Sequence, residues 1–173
     1  MSGSSLLVCA TAFAAVIVAG CGAEVGRIEF ADVGDGRTEV TIDSSKNVDF
    51  WTHLDLVAEE DDSLAVSILT DKKVSLAYSI AMYHQGEMMK RVTCDALDVN
   101  EFDFSTKFRV PGTSFRTARS FRYNGKMKCS TSVPNSGPIT VEAELEPIDP
   151  TDGAAIPLPE SYKLTRADLV IKQ

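Results

Sequence analysis

From Arg27 onward, apolar and polar residues alternate in short runs separated by turn-forming residues, which is the period of half-buried β-strands rather than of helices. The clearest run is Val74 to His84. There Val74, Leu76, Tyr78, Ile80 and Met82 share one face, while Ser75, Ala77, Ser79 and Ala81 share the other. The large apolar face must look into a core; the small, uncharged face suits a position beneath a neighbouring loop or sheet. In Val48 to Val57, Phe50, Leu54 and Leu56 alternate with Trp51, His53, Asp55 and Val57. The same reading predicts strands at Arg27 to Asp32, Thr38 to Ile42, Leu64 to Leu69, Glu87 to Cys94, Phe104 to Val110, Thr117 to Tyr123, Lys126 to Ser132, Thr140 to Leu145 and Tyr162 to Ile171. For the last of these, Thr165 and Asp168 mimic a helix capping box, but the Leu169-Val170-Ile171 ending favours a strand.

The punctuation agrees with this pattern. Asp35-Gly36, Gln85-Gly86 and Asn124-Gly125 supply residues that tolerate the positive φ of tight hairpins, and Asp71-Lys72 suits another short turn. Pro147 to Pro159 carries four of the seven prolines and no period, so it is expected as a long loop that is either functional or covers a sheet edge. Regular short strands with glycine-containing turns predict a single all-β domain, an antiparallel β-sandwich of the immunoglobulin-like or jelly-roll-like kind, over residues 27–173.

The N-terminus is different in kind. Residues 1–23 carry no charge, and Leu6 to Ala19 is almost continuously apolar. That run is shorter than the ~20 residues needed to cross a ~30 Å hydrocarbon layer, and it suits the h-region of an export signal. It ends in Val18-Ala19-Gly20-Cys21, an aliphatic residue and two small residues before a cysteine.

This tetrad resembles the lipobox of bacterial lipoproteins. The resemblance implies a signal peptide over residues 1–20, thioether lipidation of the Cys21 sulfur, cleavage after Gly20 and acylation of the new amine, with palmitate or a similar chain. Membrane attachment would then be durable, since each buried methylene adds about 0.8 kcal/mol. Gly22, rather than Asp, follows the cysteine, which in a two-membrane envelope points to the outer membrane. Residues 21–26 would form the lipidated site and a tether of under ~20 Å, so the domain is expected close to the bilayer.

With Cys9 in the leader and Cys21 lipidated, Cys94 and Cys129 remain. An exported chain meets an oxidising environment, so one disulfide between them is expected. There is no CxxC motif, and His53 and His84 form no ligand cluster with either cysteine in sequence, so neither a metal site nor a reactive thiol is predicted.

Charge sharpens the picture. The chain has 17 Lys and Arg against 25 Asp and Glu, for a formal net charge of -8, yet no acidic residue lies between Asp103 and Glu142. Lys107, Arg109, Arg116, Arg119, Arg122, Lys126 and Lys128 all fall in that interval. If Asn124-Gly125 closes a two-residue hairpin, burying Met127 and Cys129 turns Arg119, Phe121, Tyr123, Lys126 and Lys128 outward as a basic and aromatic face. Such a face could take an anionic envelope glycan, an anionic headgroup or an acidic protein. Alternatively, the bases offset acidic neighbours such as Glu59, Glu60, Asp61 and Asp62 after folding. Trp51, His53 and Asp55 form a weaker candidate of the sugar-binding or metal-binding type. Asp32, Asp35 and the Glu59 to Asp62 tip could hold calcium, without EF-hand spacing.

No GxSxG, HExxH, P-loop or dinucleotide glycine fingerprint is present, so neither catalysis nor a cofactor is expected. The acidic balance and the compartment argue against nucleic acid. The expectation is a lipid-anchored envelope protein that acts through surface contacts, in a structural or protein-interaction role. The alternative is a binding module for an anionic glycan through the basic and aromatic strand face.

Overall fold

A computed structural model describes residues 22–60, 74–109, 116–160 and 162–173. Among these, nine strands run in chain order: β1 (Glu24–Phe30), β2 (Gly34–Ile42), β3 (Asp49–Glu60), β4 (Ser75–His84), β5 (Glu87–Asp95), β6 (Glu101–Arg109), β7 (Arg116–Lys126), β8 (Gly137–Ile148) and β9 (Tyr162–Lys172). They form an all-β sandwich of two antiparallel sheets, ordered β1-β9-β3-β7-β6 and β2-β8-β4-β5. The chain crosses between sheets in such a way that the β1–β2 and β3–β4 ribbons both wrap against the β8–β9 ribbon. Of the two sandwich types expected, this strand order corresponds to the jelly roll, with β6 added beyond β7. The leader, the lipobox and the predicted strand at Leu64 to Leu69 lie outside the described residues, as does the Asp71-Lys72 turn.

Strand alternation explains the core. Phe50, Leu54 and Leu56 of β3, Leu76, Tyr78, Ile80 and Met82 of β4, and Leu169 and Ile171 of β9 are all fully buried between the sheets. The expected faces of β3 and β4 are therefore those observed. Tyr78 is the largest fully buried side chain. Its ring lies 5.5 Å from that of Phe30, and its hydroxyl is 3.4 Å from that of buried Thr52. Burial raises its pKa, since the phenolate would lose its hydration. β1 and β2, in different sheets, pack closely against each other. A Cβ at Gly26 would strike Val40, and one at Gly36 would strike Ile28, so both positions depend on the missing side chain.

The disulfide is present: Cys94 at the end of β5 bridges to Cys129 beyond β7, with a Cα–Cα separation of 5.5 Å. It joins the two sheets on the side opposite β1 and β2. The Gln85-Gly86 turn also forms as expected, with φ of 52° and 85°, and connects β4 to β5.

Two predicted turns do not form. Asp35-Gly36 lies inside β2, and the chain reverses one step earlier, around Ala31 to Val33. Asn124-Gly125 lies inside β7, in register with His53 and Thr52 of β3. Gly125 adopts φ 147°, and a Cβ there would strike the Asn100 side chain. Its glycine makes room for the β5–β6 connection rather than a hairpin. Lys126 to Ser132 is accordingly no separate strand. It runs on beside β3 through a Met127 N–H bond to the Phe50 carbonyl and a bridge between Thr131 and Val48.

Two further boundaries differ. β1 starts at Glu24, three residues before the predicted Arg27, because Ala23 and Gln173 exchange backbone hydrogen bonds of 2.9 Å and extend the β1–β9 ladder. The proline-rich segment takes the edge-covering role. β2 begins with Gly34 opposite Leu145, and on the side of β8 beyond that point, Ile156 donates to the Pro147 carbonyl and Asp149 donates to that of Ala154. The Asp149 carboxylate accepts from the Thr151 N–H at 2.7 Å, which holds its pKa below the ordinary 3.8.

Candidate functional site

The proposed basic and aromatic face is not assembled. Without a hairpin at Asn124-Gly125, β7 keeps one parity, and its odd residues stay on the core side. Phe121 and Tyr123 are 1% and 7% exposed, and Met127 is fully buried beside them. Burial pushes the Tyr123 phenol up to about 12. Arg119 shares this parity and is half-buried. Only Lys126 and Lys128 point outward as expected, and each already holds a carboxylate, Asp49 at 2.7 Å and Asp98 at 2.8 Å. The outward cation missed by sequence reasoning is Arg122, which binds Asp55 at 3.0 Å. The offsetting acids are thus Asp49, Asp55 and Asp98, all distant in sequence.

The weaker candidate gains most. Trp51, His53 and Asp55 project from the middle strand of the five-stranded sheet onto its outer face, each half-buried. β9 contributes Arg166, Asp168, Val170 and Lys172 in register with Asp55, His53, Trp51 and Asp49, and β7 contributes Arg122, Asn124 and Lys126 on the other side. The β9 set was readable from parity, since Ala167, Leu169 and Ile171 alternate with it and are buried.

Over this face the Lys172 ammonium sits 3.8 Å from the Trp51 ring centroid, a cation–π contact. Val170, flanked in register by Arg27 and Trp51, is fully buried although it lies on the outer face. Asp168 is 5% exposed, and its Oδ2 accepts from Arg27 Nη1 at 2.8 Å and from Arg166 Nε and Nη2 at 2.9 and 2.6 Å. Two guanidinium groups on one buried carboxylate satisfy its charge and hold both arginines in place. Glu24 also pairs with Arg27, which holds the glutamate pKa below 4.5 and raises that of the arginine.

Between these residues lies a depression of about 360 Å³, lined by His53, Asp55, Arg122, Tyr123, Asn124 and Arg166 among others. Its size falls within the ~300–1,000 Å³ typical of small-ligand sites. Its walls offer an amide, two guanidinium groups and an imidazole. Burial, and then the charges of Arg166 and Arg27, lower the His53 pKa from 6.5, with Asp168 opposing in part. The ring is therefore neutral at pH 7 and can both donate and accept.

No protein-family profile matches this chain, and neither a curated protein nor a solved structure matches it. The site therefore rests on its own geometry. Among the described residues, no three His, Cys, Asp or Glu side chains gather as metal ligands would.

The lowered His53 pKa has a sign that can be checked. Between the folded pKa and 6.5 the unfolded chain binds a proton that the folded chain does not, so acid favours unfolding. The His53 contribution is complete above about pH 6.5 and is lost as pH falls through that window. Thermal midpoints should therefore drop as the pH falls below 6.5, and His53→Gln should flatten that drop. Equal slopes for the two proteins would contradict the assignment.

Proposed function

We propose that the chain is a lipid-anchored module of the bacterial envelope that acts by binding, and that its contact surface is the outer face of the five-stranded sheet around Trp51, His53, Asn124, Arg122 and Arg166. The observation that carries this reading is the depression over His53. It combines outward hydrogen-bond donors and acceptors with an adjacent indole, on a rigid sheet whose arginines are already held by Asp168 and Asp55. This mixture suits a polyhydroxylated ligand carrying carboxylate or phosphate groups. Hydroxyls would exchange hydrogen bonds with His53 and Asn124, an anionic group would face the guanidinium groups, and a sugar face would lie along Trp51.

Support for the anchor comes from the apolar run at Leu6 to Ala19 and the Val18-Ala19-Gly20-Cys21 tetrad. The shortness of the chain after Cys21 is compatible with it. In sequence only Gly22 separates that residue from Ala23, which is bonded into the sheet. Lys172 and Trp51 are near the same end of the sheet, and the depression lies further from it. A ligand at the site would thus be held within a short distance of the membrane.

Binding of the purified protein to envelope glycans, measured in low and physiological salt, tests the reading. We expect salt-sensitive binding, weakened about tenfold or more by Trp51→Ala or by Arg166→Ser, with Lys128→Ser close to wild type. Binding that survives both site substitutions unchanged would exclude this face. Recovery of one stable protein partner, with no glycan bound, would shift the role to protein interaction.

A further inference from the structure

The outer face of the four-stranded sheet holds a second depression, of about 570 Å³, larger than the one over His53. Strand parity builds it. The large residues of β4 point into the core, so that strand offers Ser79 and Ala81 as a floor, and longer side chains of β8 on one side and β5 on the other form the walls. Tyr83, two residues beyond Ala81, bounds one end.

The register of the sheet arranges the charges of these walls. One row across the strands reads Arg37, Glu142, Ala81 and Arg91, and the next reads Asp35, Glu144, Ser79 and Thr93. Glu142 pairs with Arg37 at 3.6 Å. In the other row Asp35 lies directly opposite Glu144, and among the described residues neither carboxylate has an ion pair or a hydrogen bond. Like charges in direct opposition on neighbouring strands are destabilising, so this pair favours the arrival of a cation. Arg91, on the far wall, is likewise without a carboxylate partner among the described residues. By contrast, Arg27, Arg122, Lys126 and Arg166 of the five-stranded sheet each hold one.

The depression thus has a negative side, a positive side and a neutral floor between them. Two strand spacings of ~4.8 Å and a two-residue step of ~6.8 Å set the Cα atoms of Glu144 and Arg91 about 12 Å apart. Both side chains reach into the space, and the gap between their charged ends suits an extended chain of two or three residues at ~3.5 Å each. A single amino acid is too short to meet both walls. A polyamine would answer Glu144 but bring a like charge to Arg91.

We propose that this depression binds a short peptide by its two free ends, with the ammonium group between Asp35 and Glu144 and the carboxylate on the Arg91 guanidinium. A guanidinium can take a carboxylate through two parallel hydrogen bonds, which fixes the direction of the peptide across the sheet. The inference goes beyond the glycan reading and is independent of it, because the two depressions lie on opposite faces of the sandwich.

Titration calorimetry of the purified full chain in detergent solution, with trialanine, N-acetyl-trialanine and trialanine amide as probes, tests it. Trialanine is expected to bind, and blocking either end should weaken it about tenfold or more. Arg91→Gln should cost as much as amidation, and amidation should then cost this variant little further. Glu144→Gln should stand in the same relation to acetylation. Both positions are exposed, so thermal midpoints of the two variants should match the wild type. Trp51→Ala, on the other face, should leave trialanine binding unchanged. Failure of the wild type to bind trialanine, equal affinity for the blocked and free forms, end-block losses undiminished in the two variants, or a loss in Trp51→Ala as large as in Arg91→Gln would each overturn the proposal.

Discussion

Replacing Cys94 and Cys129 together by Ala is expected to lower the unfolding free energy by about 4 kcal/mol, from the chain entropy that a crosslink spanning 35 residues removes from the unfolded state. The loss would be felt across the whole sandwich. The bridge joins β5 of one sheet to the segment after β7 of the other, on the side where no β1–β2 contact holds the sheets together. Urea unfolding of the wild type and of the double variant, each with and without reductant, measures it. Reductant should bring the wild-type midpoint to that of the variant and leave the variant unmoved. A difference below about 1 kcal/mol would mean that the folded sheets are held by packing alone.

Tyr78→Ala is expected to cost about 3–5 kcal/mol, comparable with the disulfide, because it removes the largest fully buried side chain and leaves a cavity between the sheets. The ring fills the space beside Phe30, and its hydroxyl is the partner of buried Thr52. Tyr78→Phe separates the two roles. It keeps the ring and leaves only the Thr52 hydroxyl without that partner, at about 1 kcal/mol. Unfolding midpoints of the two variants should differ several-fold in their displacement from wild type. If the Phe variant proved as unstable as the Ala variant, the polar pair and not the ring would dominate this part of the core.

The parts of the fold that were legible in the sequence are those where one parity decides burial over many residues. In β4, four large apolar residues at alternate positions, continuing the parity of Val74 just before the strand, admit one orientation, and the same holds for Phe50, Leu54 and Leu56 in β3. The Gln85-Gly86 turn was legible because it lies between two such runs. Asn124-Gly125 carries equally good turn chemistry yet was misleading, because a glycine also serves where another segment passes close by, and here that segment contains Asn100. The misplaced turn reversed the parity of everything before it. Phe121 and Tyr123 were assigned to solvent when their spacing from Met127 already matched one continuous buried face.

The site was harder to read because it is built across strands. Trp51, His53 and Asp55 were visible as a triplet, but Arg166 and Asp168 come from β9 and Arg122 and Asn124 from β7, brought alongside only by the register of the sheet. Local pattern predicts which side of a strand is wet. It does not say which strands are neighbours, and strand order decides which charges compensate each other. The seven bases between Asp103 and Glu142 looked like a free patch along the chain. In the sandwich, Arg122, Lys126 and Lys128 each meet an aspartate from elsewhere.

Intact mass of the protein extracted from the membrane fraction distinguishes a lipidated, crosslinked chain from an unprocessed one. The expected chain begins at Cys21, heavier by its acyl groups and lighter by the two hydrogens lost at Cys94 and Cys129. An unprocessed chain starting at Met1, recovered from the soluble fraction with every thiol free, would contradict it.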